Sequence, residues 1–211
     1  DFTPISREKM KPMGEIMKSL PSVKLIIVMF ITTMLVQSST MSIDPIVSLY
    51  VKSMMPHGAN VAFVAGVVAA TPGLGTLIAA SKIGHKMDEI GPLRVLRIGL
   101  IVGFALFIPM ALTNNPWVLA VLRFFLGIAS AGMLPAAQTV LTLNTLQESF
   151  GRIFSYNQSF QAVGAVLGSL MGSTISGFSN YATVFWVTGF TLLLNFILVL
   201  IFAWGISYHD R

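Results

Sequence analysis

The chain has 211 residues, of which 55% are hydrophobic and only 10% are charged, and its mean hydropathy is +0.80. Soluble domains carry about 25% charged residues, so this composition excludes an ordinary soluble domain and indicates a protein that needs lipid as its solvent. The formal net charge of +5 does not indicate nucleic-acid binding, because most cations flank apolar stretches and no basic patch carries interleaved aromatic residues.

The chain has few residues of the types that bind metals or carry out catalysis. Cysteine is absent and the three histidines are isolated, so we expect no disulfide, no metal site and no cofactor. No nucleophile, base and orienting group lie at useful spacing, and an enzyme is therefore not expected.

The first 22 residues are polar and basic and lack the apolar core of a signal peptide. We predict a cytoplasmic linker over residues 1–22, a membrane domain over residues 23–207 and a cytoplasmic tail over residues 208–211. Since the first residue is Asp rather than Met, we expect the sequence to begin inside a longer protein.

Six long apolar segments follow, each able to cross a hydrocarbon core of ~30 Å, which takes ~20 helical residues. The apolar runs are continuous rather than alternating, so they predict helices and not barrel strands. We therefore expect an all-α integral membrane protein with six transmembrane helices in the lipid bilayer. Cations concentrate near the termini and in alternate connections, which predicts that both termini are cytoplasmic. The segments, numbered one to six in chain order, comprise residues 23–51, 59–82, 93–112, 117–143, 154–178 and 182–207.

Two opposite charges lie inside apolar segments, Asp44 towards the outer end of segment one and Arg123 in the first part of segment four. Charges within a membrane usually face a bundle interior or a water-filled cavity, and since the depths are similar we expect these two to pair across a cavity. The alternative is that Arg123 extends to the outer headgroups and that Asp44 ends its helix. Pro45 and Pro135 are expected to interrupt segments one and four, and interrupted helices often surround a binding site.

Other polar and small residues mark helix faces. We expect Gln37, Gln138 and Gln161 to face the cavity and Asn195 to lie in a seam between helices.

Gly164, Gly168 and Gly172 share one face of segment five, and small residues at this spacing let helix backbones approach closely in lipid. This stripe is predicted to be a packing seam, either static or sliding during a conformational change.

The connection between segments two and three is a polar stretch over residues 84–94 that predicts a tight turn. Gly84 and Gly91 permit close approach or a positive φ. Asp88 is expected to accept hydrogen bonds from free N–H groups at the start of the following helix, and Arg94 is expected to reach anionic headgroups. The alternative is an ordinary cytoplasmic hairpin whose glycines only form the turn.

The glycines, the acid and the cation of this turn resemble the loop signature of the major facilitator superfamily. Arg123, Gly127 and the small residues up to Gly132 are similar to its fourth and tenth helices, and the glycines of segment five are similar to a signature of its antiporters' fifth helix, reflected in the eleventh. In order and spacing, the chain resembles the C-terminal half of bacterial drug:proton antiporters of this superfamily.

That resemblance implies helices seven to twelve of a twelve-helix transporter, built as a three-plus-three inverted repeat in a bacterial cell membrane. It implies proton-coupled efflux of amphipathic compounds by alternating access, with the 84–94 turn as a cytoplasmic gate and the missing N-terminal six-helix half as partner. Two alternatives stay open: the same fold carrying a small metabolite such as a sugar or amino acid, and a non-transporting six-helix scaffold, for which a homodimer of this chain is conceivable.

Overall fold

The computed structural model of the chain describes residues 23–55 and 60–203, and all regular secondary structure there is helical. The predicted linker over residues 1–22 and the tail over residues 208–211 lie outside the described residues. The helices are α1 (Val23–Ile43), α2 (Val47–Met54), α3 (Val61–Ile90), α4 (Pro92–Leu112), α5 (Pro116–Ser130), α6 (Met133–Leu143), a short 3-10 helix (Gln147–Ser149), α7 (Phe150–Phe178) and α8 (Tyr181–Ala203).

Five of the six predicted segments contain a helical region that is long and apolar enough to cross a membrane. The exception is α7, which has 29 residues but carries amides, serines and glycines that lower its apolarity. Its length suffices for a crossing, and α7 as the sixth span stays a prediction.

Segments one and four are both interrupted, as their prolines predicted. Segment one breaks between α1 and α2 at Asp44, Pro45 and Ile46, because proline cannot donate a backbone hydrogen bond and disfavours helical backbone at the residue before it. Segment four breaks at residues 131–132, and Pro135 falls in the first turn of α6, where proline is tolerated.

The predicted tight turn over residues 84–94 is wrong in extent. Helix α3 continues through Gly84 to Ile90, eight residues past the predicted end of segment two, and α4 starts at Pro92. Only Gly91 turns the chain, and its φ of 87° and ψ of 149° lie in a region that is essentially restricted to glycine. Gly84 is helical, and a Cβ placed on it would have no atom of another described helix within 4 Å.

The segments pack in a pattern that suits two repeats of three. The most extensive contacts join α1 to α7, α3 to α5 and α4 to α8. In segment numbers, these contacts join one to five, two to four, and three to six. If each of the first three segments is exchanged with its counterpart three segments later, the first contact becomes the second and the third stays the same. This is the pattern that a three-plus-three repeat requires.

The seam between α1 and α7 is built on glycine. A Cβ placed on any of the three stripe glycines of α7 would overlap a carbonyl group of α1, so the two backbones touch directly. The facing pairs are Gly164 with Met34, Gly168 with Ser38, and Gly172 with Ser42. Because both sets advance in steps of four in the same direction, the two helices run parallel along this seam.

Candidate functional site

A cavity of ≈ 310 Å³ lies between segments one, two and four, with one residue each from α4 and α8. Its wall is mostly apolar, and it also carries one carboxylate, one guanidinium and four hydroxyls. The lining residues are Val36, Ser39, Thr40, Ile43, Asp44, Ala69, Pro72, Gly73, Thr76, Phe107, Arg123, Leu126, Ser130, Met133 and Leu192.

Asp44 and Arg123 meet in this cavity. Arg123 Nη2 donates to Asp44 Oδ1 over 3.4 Å, and the two side chains are unequally buried, with 5% of Arg123 and 51% of Asp44 exposed. Arg123 Nε has no hydrogen-bond partner among the described residues. The buried guanidinium is therefore held by one long hydrogen bond, while the carboxylate keeps most of its surface open to the cavity.

Local sequence explains both positions. Asp44 follows the last residue of α1, where Pro45 ends the helix, so its side chain leaves a turn rather than a helix face. Arg123 lies in the second turn of α5, and α5 packs closely on α3 because a Cβ on Gly127 would overlap the backbone of Pro72. The Arg123 side chain is only 5% exposed, so it points into the bundle and does not extend to the surface.

Three of the four cavity hydroxyls donate hydrogen bonds to backbone carbonyl groups of their own helix or a neighbouring one. Thr40 donates to Val36 O, while Thr76 and Ser130 both donate to Gly127 O. The Ser39 hydroxyl has no partner among the described residues. These four residues were not predicted at the cavity. The spacing carries a signal for two of them, because Thr40 lies four residues before Asp44 and Ser130 seven after Arg123, which places each on the same helix face as the charged residue.

None of the three glutamines expected at the cavity lines it. Gln37 and Gln138 are half-buried on other faces of α1 and α6, and Gln161 is buried on α7 with Nε2 unpaired among the described residues. Since lipid and the interior of a membrane bundle are both apolar, the sequence pattern could not indicate which face of these helices points inward. Asn195 does lie in a seam, because its Nδ2 donates to Thr32 O of α1 over 3.2 Å.

The residues of the predicted gate do not form the expected cap. The N-cap of α4 is Gly91, which has no side chain, and among the described residues no hydrogen bond joins Asp88 to the first turn of α4, so Asp88 does not cap the following helix. Asp88 is instead exposed in the last turn of α3, and Arg94 is exposed in the first turn of α4. Glu89, beside Asp88, lies 2.8 Å from Lys86 Nζ and 3.5 Å from His85 Nε2.

A bundle of long apolar helices, two of them interrupted beside a cavity that holds a buried guanidinium and a half-exposed carboxylate, is typical of membrane transport proteins. Residues 24–207 match the Major Facilitator Superfamily, and the chain belongs to this superfamily, which is one of membrane transporters and not of enzymes. It is a multi-pass membrane protein.

The chain is similar over its whole length to multidrug resistance proteins. It is 41% identical over 211 residues to the multidrug resistance protein MdtG of Salmonella arizonae, covering 100% of this chain and 51% of that protein. It is also 41% identical over 205 residues to the protein of the same name from Salmonella heidelberg, covering 97% of this chain and 50% of the relative. The chain thus spans about half the length of the curated relatives it matches.

Proposed function

We propose that this chain forms helices seven to twelve of a transporter that exports amphipathic drugs in exchange for protons. Support comes from the relatives, which are named for multidrug resistance and are about twice as long. The missing N-terminal half would supply the opposite wall of the transport path. In this proposal the protein lies in the bacterial inner membrane with both termini in the cytoplasm.

The observation that carries the proposal is the half-exposed carboxylate of Asp44 beside the buried guanidinium of Arg123. An apolar wall favours the hydrophobic part of a drug, and an accessible carboxylate favours a cationic group. The same carboxylate can be paired with Arg123, paired with a substrate cation or protonated. Because these three states exclude one another, binding of the substrate and binding of the proton compete, which is the requirement for antiport.

The proposed cytoplasmic gate rests on Asp88. An acid near a helix C-terminus is unfavourable, because the helix dipole places negative charge there. Glu89 in the same turn is compensated by Lys86 and His85, whereas Asp88 has no ion pair among the described residues. We infer that Asp88 takes its partner from the N-terminal half when the cytoplasmic side is closed and releases it when that side opens.

Transport of a fluorescent lipophilic cation into everted vesicles tests this function. Vesicles containing the full-length protein should accumulate the cation only when a proton gradient is imposed. Asp44→Asn should abolish the gradient-dependent part, and Glu89→Gln should retain it, because Glu89 is a surface acid away from the cavity. Absence of gradient-dependent accumulation by a folded and inserted protein would overturn the proposal and favour the same fold carrying a small metabolite.

A further inference from the structure

A second concave site lies on the outside of the bundle, away from the Asp44 cavity. It is a groove of ≈ 360 Å³ between the end of α3, the first two thirds of α4 and the last part of α5. On α4 it runs from Val95 to Leu106 along one helix face. Its other walls include Phe125, which is 50% exposed, and Ile83 near the end of α3.

The groove is apolar along its length and cationic at one end. Lys86 is its only charged lining residue. Arg94 is exposed four residues before Ile98, a lining residue, and so lies on the same face of α4 one turn nearer the Gly91 turn. The stretch from residue 82 to residue 97 carries four cations and two acids, so it stays positive even though Glu89 pairs with Lys86.

The length of the groove matches half a membrane. The eleven steps of 1.5 Å from residue 95 to residue 106 of α4 span ~16 Å, close to half of a ~30 Å hydrocarbon core. An apolar channel of this length that ends in cations at the helix termini has the dimensions and charge of one lipid tail below its headgroup.

We propose that this groove binds one acyl chain of an anionic phospholipid, whose phosphate contacts Lys86 and Arg94. The site is separate from the proposed transport cavity and does not depend on what that cavity carries. Gly99 lets α4 lie close to α5 at the floor of the groove, because a Cβ placed on it would come within 3.0 Å of Ala129 O.

Native mass spectrometry of the purified full-length protein tests the site with phosphatidylglycerol and phosphatidylcholine of identical acyl chains. The wild-type protein should retain more phosphatidylglycerol than phosphatidylcholine. The double variant Lys86→Ala/Arg94→Ala should lose this preference, by about fivefold for each cation removed. Lys24→Ala, which removes an exposed cation from the first turn of α1, should keep it. Equal retention of the two lipids by the wild type, or an unchanged preference in the double variant, would overturn the proposal.

The apolar part of the site has its own variant. Val102→Trp should fill the groove and reduce retention of both lipids, whereas Leu194→Trp, at a 60% exposed site on α8, should not. A phosphatidylglycerol with a photoreactive acyl chain tests the unmodified protein, and its cross-links should fall on the lining of the groove, within residues 83–90 of α3, 95–106 of α4 and 125–129 of α5. Cross-links elsewhere would refute the site, and their displacement by a lipophilic cation would assign the groove to substrate instead of lipid.

Discussion

Replacing Gly168 by alanine should destabilise the protein, while the same replacement at Gly177 of the same helix should not. A Cβ on Gly168 would overlap the carbonyl oxygen of Ser38, whereas a Cβ on Gly177 would have no neighbour within 4 Å on another described helix. Alanine is favoured over glycine inside a helix by ~1 kcal/mol, and this gain is common to both variants. Overpacking costs ~1–3 kcal/mol, and this cost applies only to Gly168→Ala, where the added methyl group meets α1. The two variants should therefore differ in stability by that amount.

The measurement is thermal unfolding of the full-length protein in one detergent at one scan rate, since membrane proteins often unfold irreversibly and the midpoint then depends on the rate. At ~2–4 °C per kcal/mol for a domain of this size, Gly168→Ala should melt several degrees below Gly177→Ala. Equal midpoints would show that α1 and α7 can separate at no cost, and the direct backbone seam would then be wrong. A midpoint below that of the wild type in both variants would indicate that the proposed N-terminal half contacts Gly177.

Three further predictions concern the charges and the turn. Asp44→Asn should leave the buried charge of Arg123 unpaired, at a cost of up to ~2.5–3.5 kcal/mol. The double variant Asp44→Arg/Arg123→Asp should recover part of the folded yield and of transport, and no recovery would remove the pair from the mechanism. Asp88→Asn should slow transport in vesicles while leaving equilibrium drug binding nearly unchanged, and normal turnover would argue against a gate at Asp88. Gly91→Ala should lower the free energy of unfolding by ~1–3 kcal/mol because the φ of residue 91 is positive. Gly84→Ala, inside α3, should be neutral or stabilising, and equal effects of the two replacements would show that the turn tolerates a side chain.

Features of the fold that depend on composition along the chain were predictable. Long apolar runs located the helices, and Pro45 located the break in segment one, because proline disfavours helical backbone at the residue before it. Pro135 located the break at residues 131–132, because a proline ring clashes with the carbonyl group four residues earlier in a continuous helix. The glycine stripe of α7 predicted close packing, since a helix face at steps of four is fixed by helix geometry alone. None of these predictions needed to know which helix was the partner.

Features that depend on which way a helix faces were not predictable. In a membrane bundle the lipid and the protein interior are both apolar, so hydropathy does not distinguish the inward face. The glutamines were therefore expected at the cavity, and Ser39 was missed. The extent of the 84–94 turn was not predictable from its glycines and charges, because Gly84 lies inside α3 and Lys86 and Glu89 form a favourable pair three residues apart within the same helix.

The position of the ion pair relative to the glycine seams indicates how the bundle is able to move. The seam of α1 with α7 and that of α3 with α5 are direct backbone contacts, and such contacts resist sliding because any shift brings a Cβ against a carbonyl group. Asp44 belongs to the first of these pairs and Arg123 to the second, and the single hydrogen bond between them is 3.4 Å long. A rearrangement that keeps both seams intact must therefore change the distance between Asp44 and Arg123. We expect the two helix pairs to move as rigid units, and the protonation of one carboxylate to decide whether they are held together.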